Sequence, residues 1–166
     1  MNAKEMMFLR QIVPAAQATM KVSGVPASVT IAQAILESGW GDSLLARQAN
    51  NFFGIKAEHL GEPNTYEAFP TAEYQNGTRV MVEAEFEWFP TVTDCFEDHA
   101  GLLSQASRYA PAMAAKGNAI AFAHQLQICG YSTNRPPFAA KPPFYADELI
   151  QLIDEFDLEQ YDAKPV

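Results

Sequence analysis

An α+β fold is predicted, mainly helical with one small antiparallel excursion, and three observations predict it. Apolar residues recur at helical spacing towards both ends of the chain. Between them, Thr65-Tyr66-Glu67-Ala68-Phe69 and Thr78-Arg79-Val80-Met81-Val82 are extended, β-prone runs around the turn signal Gln75-Asn76-Gly77. No internal repeat or low-complexity linker separates these parts, and 166 residues suit one domain with a real core.

In chain order, Phe8, Ile12 and Ala15/Ala16 mark a first helix over 3–21, with Pro14 inside it and Ser23-Gly24 stopping it. Arg10 and Gln11 interrupt the apolar stretch Met6–Leu9 too early for a signal-peptide core, so this segment reads as a mature amphipathic helix. Pro26 and Ser28 open a second helix over 26–38, and Asp42-Ser43 offer cap oxygens to a short helix over 42–48. After the hairpin, helical texture returns at 93–106 (capped by Thr93 or Asp94), at 118–128 and at 144–156. The stretch Thr133–Pro143, with Pro136-Pro137 and Pro142-Pro143, reads as a stiff surface loop.

Composition narrows the functional classes. A formal net charge of −9 without any basic run argues against nucleic acid, whose binding needs Lys and Arg to displace phosphate counterions. The same charge argues against electrostatic attachment to anionic membranes or wall polymers. No segment approaches the roughly 20 apolar residues of a membrane span. Cys95 and Cys129 read as two buried thiols rather than a disulfide scaffold. His59, His99 and His124 are widely spaced and match no metal-binding pattern, so no metal and no cofactor are expected.

One residue stands out within an apolar helix. At about 100° per residue, Val29, Ile31, Ala32, Ile35 and Leu36 share a broad face, and Thr30, Gln33 and Glu37 fall on the opposite stripe. If the apolar face meets the core, that stripe is free to line a cleft. Glu37 sits in the last turn, where the helix dipole disfavours ionisation, and Trp40 is placed to shield it from water. Both effects favour a protonated carboxyl, the state a general acid needs.

The stretch "AQAILESGWGDSLLARQANNFFGIK" closely resembles the signature of bacterial endo-β-N-acetylglucosaminidase domains, glycoside hydrolase family 73, of the autolysin, endolysin and flagellar-hydrolase type. "TAEYQNG" at Thr71–Gly77, "FEWFPTVTDCFEDHAGLL", "GYST" at Gly130–Thr133 and "FYADELIQLI" at Phe144–Ile153 resemble later family segments, in order, over about 5–156. The resemblance implies a lysozyme-like fold, with a helical lobe and a small β-lobe (about 52–90) flanking a substrate cleft. It also implies one catalytic domain over 1–166. The implied substrate is the peptidoglycan glycan strand, cut after N-acetylglucosamine, with no nucleic-acid or membrane partner. A monomer acting in the periplasm or on the wall is expected, reached by another export route, by lysis, or as part of a longer chain.

Carried over by position, Glu37 matches the catalytic acid and Glu73 in "TAEY" the second glutamate, with Glu58, Glu62, Glu67 and Asp42 as fallback candidates. Tyr131 matches the tyrosine of the family's "GYAT" element, where a phenol would bond the substrate acetamide or position water. Thr30, Gln33, Trp40, Asn51, Phe53 and Tyr145 complete the candidate substrate-binding set, although packing is an equal reading of Trp40 and Trp88 and the better reading of Tyr145. Asp98-His99 reads as support for a helix start, since no nucleophile motif accompanies it. Two departures stand out: Asn134 replaces a common Asp, and a Pro-rich insertion over about 134–143 precedes Phe144-Tyr145-Ala146. A muramidase or lytic transglycosylase on the same fold, and a non-catalytic glycan-binding module, are the competing readings.

Overall fold

The computed structural model describes residues 1–57, 66–75, 78–132 and 141–162. Its centre is a helix with almost no free face. Helix α1 (Ala3–Ser23) starts on a capping box between Asn2 and Glu5, runs through Pro14 and stops where Gly24 turns left-handed. It buries Phe8, Leu9, Ile12, Ala15, Ala16 and Thr19. Helix α2 (Ala27–Ser38) follows, and every residue from Ala27 to Ile35 is buried. Short side chains at Ala27, Ala32 and Ala34 let neighbouring elements approach closely, and α1, the later helices over Ala119–Ile128 and Tyr145–Glu155, and the final 3-10 turn Leu158–Tyr161 all pack on it. The amino end of α2 has no cap of its own. Asp162 supplies one from the far end of the chain, accepting from Ser28 N at 2.8 Å and from Ser28 Oγ at 2.7 Å.

The end of α2 is abrupt. Gly39, Trp40 and Gly41 all have positive φ (59°, 61° and 76°), three left-handed residues in succession. Ser38 Oγ accepts from Gly41 N at 2.8 Å and holds this reversal. Glycine at position 41 also answers a close approach, since a Cβ there would lie 2.9 Å from Phe8 Cε2. Helix α3 (Leu44–Ala49) then begins on the Ser43 hydroxyl and ends at left-handed Asn50.

Strands β1 (Tyr66–Gln75) and β2 (Thr78–Glu87) form a two-stranded antiparallel hairpin with Tyr66 opposite Glu87 and Gln75 opposite Thr78. Both strands are longer than the sequence predicts. Asn51 fastens the base of the hairpin: its amide donates to Ile55 O (2.9 Å) and Glu87 O (3.0 Å), and its Oδ1 accepts from Ile55 N (3.0 Å).

Helix α4 (Val92–Gln105) starts one residue earlier than expected: Thr91, rather than Thr93 or Asp94, is the cap, and Asp94 is its reciprocal partner three residues in. His99 therefore lies in the middle of α4 and supports no helix start. A 3-10 turn (Ser107–Tyr109) and helix α5 (Ala110–Ala114) follow, too short to show any period in sequence. Helices α6 (Ala119–Ile128) and α7 (Tyr145–Glu155) close the helical lobe within a residue or so of their predicted bounds. Cys95 is buried and Cys129 half-buried, and both thiols are free. No helix among the described residues is long and apolar enough to cross a membrane.

Candidate active site

An open cleft of about 1290 Å³ runs between the helical lobe and the base of the hairpin. Phe53–Lys56, Glu87 and Phe89 line it, together with the outer face of α4 and with Tyr109, Tyr131 and Ser132. Glu37 lies on its floor.

Glu37 is the penultimate residue of α2, and the left-handed residues after it turn the chain away at once. The side chain reaches water through the cleft, yet protein crowds most sides of the carboxyl. This lost hydration is the largest influence on its ionisation and lifts the pKa from 4.5 to about 6. The Tyr145 hydroxyl donates to the carboxylate and opposes the rise, and the negative charge of Glu148 reinforces it. The carboxyl-terminal end of α2 acts in the same direction. Trp40 does not shield Glu37 as expected: its ring packs against Phe8 and Phe156, at centroid distances of 5.8 and 4.8 Å, and lines a separate groove.

Two tyrosines flank the acid. Tyr145, at the first position of α7, is 2 % exposed, and its Oη accepts from Gln33 Nε2 at 2.9 Å. Tyr131 stacks on Tyr145 with ring centroids 5.5 Å apart and planes 20° apart, and it lines the cleft. Its Oη lies 3.1 Å from His99 Nε2, and the imidazole in turn stacks on Phe53 at 3.8 Å. Burial lowers the His99 pKa to about 3, so its ring is neutral. Burial raises both phenol pKa values well above 10, and the nearby Glu37 charge adds to each rise, so both hydroxyls keep their protons.

The structure thus gathers Glu37, Tyr131 and Phe53 at the cleft, with Tyr145 directly behind the acid. It does not bring the rest of the predicted set there. Thr30 is buried and its hydroxyl donates to Pro26 O, while Gln33 is buried beneath Tyr145; the Thr30-Gln33-Glu37 stripe is free only at Glu37. The physical reason is that α2 is surrounded, so its polar stripe meets protein as its apolar face does. Asn51 is buried and spends its amide on the hairpin base. Asp42 pairs with Lys4 in the groove beside Trp40.

Glu73 stands in β1 with its Cα opposite that of Val80; its side chain lies outside the described residues, as does that of Glu67. Glu58, Glu62, His59 and the insertion over 134–140 lie outside them too.

Sequence reasoning missed the α4 wall and the Arg108-Tyr109 corner. Asp94, Glu97, Asp98, Gly101 and Gln105 all line the cleft, and their spacing marks a single polar stripe on α4. That stripe was readable from sequence. Arg108, whose guanidinium sits 4.5 Å from the Tyr109 ring centre, carries no comparable signal. Among the described residues, no three His, Cys, Asp or Glu side chains converge on a point where a metal ion could sit.

Comparison with known proteins agrees with this geometry. Residues 13–158 match the family described as mannosyl-glycoprotein endo-beta-N-acetylglucosaminidase. The exo-glucosaminidase LytG of Bacillus subtilis is 35% identical over 164 residues, covering 96% of this chain and 54% of LytG. The peptidoglycan hydrolase FlgJ of Escherichia coli K12 is 35% identical over 152 residues, 89% of this chain and 45% of FlgJ. The chain therefore spans about half the length of the curated relatives it matches. Among solved structures, the catalytic domain of the autolysin Auto from Listeria monocytogenes superposes with a TM-score of 0.80 at 28% identity, covering 98% of this chain and 89% of that one. A C-terminally truncated glycoside hydrolase domain of Salmonella typhimurium FlgJ gives 0.70 at 31% identity, covering 92% of this chain and 97% of that one. A cleft with an acid at the end of a buried helix, the lysozyme-like fold and the match over residues 13–158 lead to one conclusion: this chain belongs to the glucosaminidase family, glycoside hydrolase family 73.

Proposed function

We propose that the chain is a peptidoglycan hydrolase that cleaves the β-1,4 glycosidic bond after N-acetylglucosamine, with Glu37 as general acid. The observation that carries this reading is the Glu37 carboxyl itself. It lies on the floor of an open cleft with its pKa raised to about 6, so a useful fraction stays protonated near neutral pH. As the bond between the anomeric carbon and the leaving oxygen breaks, Glu37 gives its proton to that oxygen, and the sugar takes on oxocarbenium character. A water then adds to the anomeric carbon, and its proton passes to a carboxylate. Glu73 takes that second role in this reading, on the strength of the "TAEY" match.

Tyr131 faces the sugar from the cleft lining, where its hydroxyl meets the acetamide or the attacking water. Phe53 lends an apolar edge. An open cleft accommodates a continuing strand on both sides of the scissile bond, which supports attack within glycan chains. The catalytic domain over 1–166 acts as a monomer on the wall or in the periplasm.

Digestion of purified peptidoglycan, followed by mass spectrometry of borohydride-reduced products, tests the reading. Reduced N-acetylglucosamine ends are expected. Reduced N-acetylmuramic acid ends would assign a muramidase instead, and anhydro-muramyl ends a transglycosylase. Glu73→Gln separates these further: a transglycosylase needs only Glu37 and would keep its rate.

A further inference from the structure

Two buried side-chain atoms have no hydrogen-bond partner among the described residues: His99 Nδ1 and Gln33 Oε1. Both belong to residues that are 0% exposed and whose other polar atom meets a tyrosine hydroxyl beside Glu37. The coincidence bears on the direction of both hydrogen bonds.

If His99 Nε2 accepted from Tyr131, the neutral ring would carry its proton on Nδ1, leaving a buried N–H without an acceptor among the described residues. If Nε2 donates to Tyr131, the atom left over is a bare ring nitrogen. Buried N–H groups without partners are rarer than under-used acceptors. The donating tautomer is therefore the better satisfied one. Gln33 obeys the same logic: turning its amide over would leave the NH₂ group unpaired in the core, whereas the observed orientation leaves only a carbonyl oxygen. Stacking on Phe53 at 3.8 Å, with planes 14° apart, keeps the imidazole from swinging away.

We propose that His99 and Gln33 are positioning residues, buried donors that occupy the Tyr131 and Tyr145 hydroxyl oxygens from behind and so commit both phenol O–H bonds outward, Tyr145 to the Glu37 carboxylate and Tyr131 to an acceptor on the bound sugar. This rests on the reading of Glu37 as the acid and of Tyr131 as a sugar contact. A phenol whose oxygen is held by a donor presents its proton without first breaking a competing bond, and it is polarised by that donor. Neither His99 nor Gln33 touches substrate in this scheme.

The wild-type protein provides the direct test. Long-range 1H–15N spectra of the histidine-labelled enzyme are expected to show His99 protonated at Nε2 and bare at Nδ1, unchanged across the working pH range. A proton on Nδ1, or an imidazolium, would overturn the proposal without any variant. Kinetics test the consequence. His99→Leu is expected to lower kcat by about threefold to tenfold with KM little changed, the worth of one hydrogen bond. His99→Gln, which restores a side-chain donor, is expected to recover most of that loss. In a Tyr131→Phe background, His99→Leu is expected to cost nothing further, and Gln33→Met should likewise add nothing to Tyr145→Phe. Fully additive losses would reduce both residues to packing and sink the proposal. Full activity in Tyr131→Phe alone would instead remove the sugar contact on which the His99 role depends, with the measured tautomer still standing.

Discussion

With Glu37 as the proposed acid, one ionisation couples activity to stability. The acid is competent while protonated, so kcat/KM for wall digestion is expected to fall about tenfold per pH unit well above pH 6. Tyr145→Phe removes a donor to the ionised form, so that limb should move to higher pH in a rate profile. Stability follows the same equilibrium with a definite sign. Because folding raises this pKa from 4.5 to about 6, its favourable contribution is complete below 4.5 and is lost as pH rises through 6. Glu37→Gln is therefore expected to abolish lysis while melting no lower than the parent at pH 7.5, and its relative advantage should shrink towards pH 4.5. A lytically active Glu37→Gln protein would end the assignment. Glu37 was legible because its signature is local: an acid at the last turn of an apolar helix, then Ser38-Gly39-Trp40-Gly41. Tyr145 as its hydrogen-bond partner was not, because only the packing of α7 against α2 brings the two together.

The elements were legible where they carry their own punctuation. Pro26 and Gly39 bracket α2, and Gly24 ends α1 as glycine does where the chain must turn left-handed. What could not be read was support supplied from elsewhere, and the amino end of α2 is the clearest example. Removing Asp162 leaves Ser28 N and Oγ without the acceptor they share. Asp162→Ala is expected to cost about 1–2 kcal/mol, which lowers Tm by about 2–8 °C in a chain of this length. A melting curve equal to the parent's would show that solvent replaces that cap freely. The helical-wheel reading of α2 failed for a related reason: periodicity tells which residues share a stripe, but only neighbours decide whether the stripe meets water. Thr30 and Gln33 point into packed protein, and Glu37 alone emerges.

Across the whole molecule the two lobes are held very differently. The helical lobe closes around α2, whereas the described contacts at the hairpin base run largely through Asn51, the Lys56–Phe86 bridge and backbone bonds from Ala57 and Glu87. Asn51, expected to bind sugar, instead governs how firmly the β-lobe sits. Asn51→Ala is expected to destabilise by about 1–3 kcal/mol through unpaired backbone groups, and to raise KM for peptidoglycan more than it lowers kcat. A change in kcat alone would point back to a chemical role. The central burial of α2 has a further consequence in time rather than in space. Its amides, shielded on every side, should exchange with deuterium only when the entire protein opens, whereas those of β1 and β2 should exchange through smaller, earlier openings. On warming, lysis would then fade as the facing lobe loosens, with Glu37 still seated on the last segment to let go.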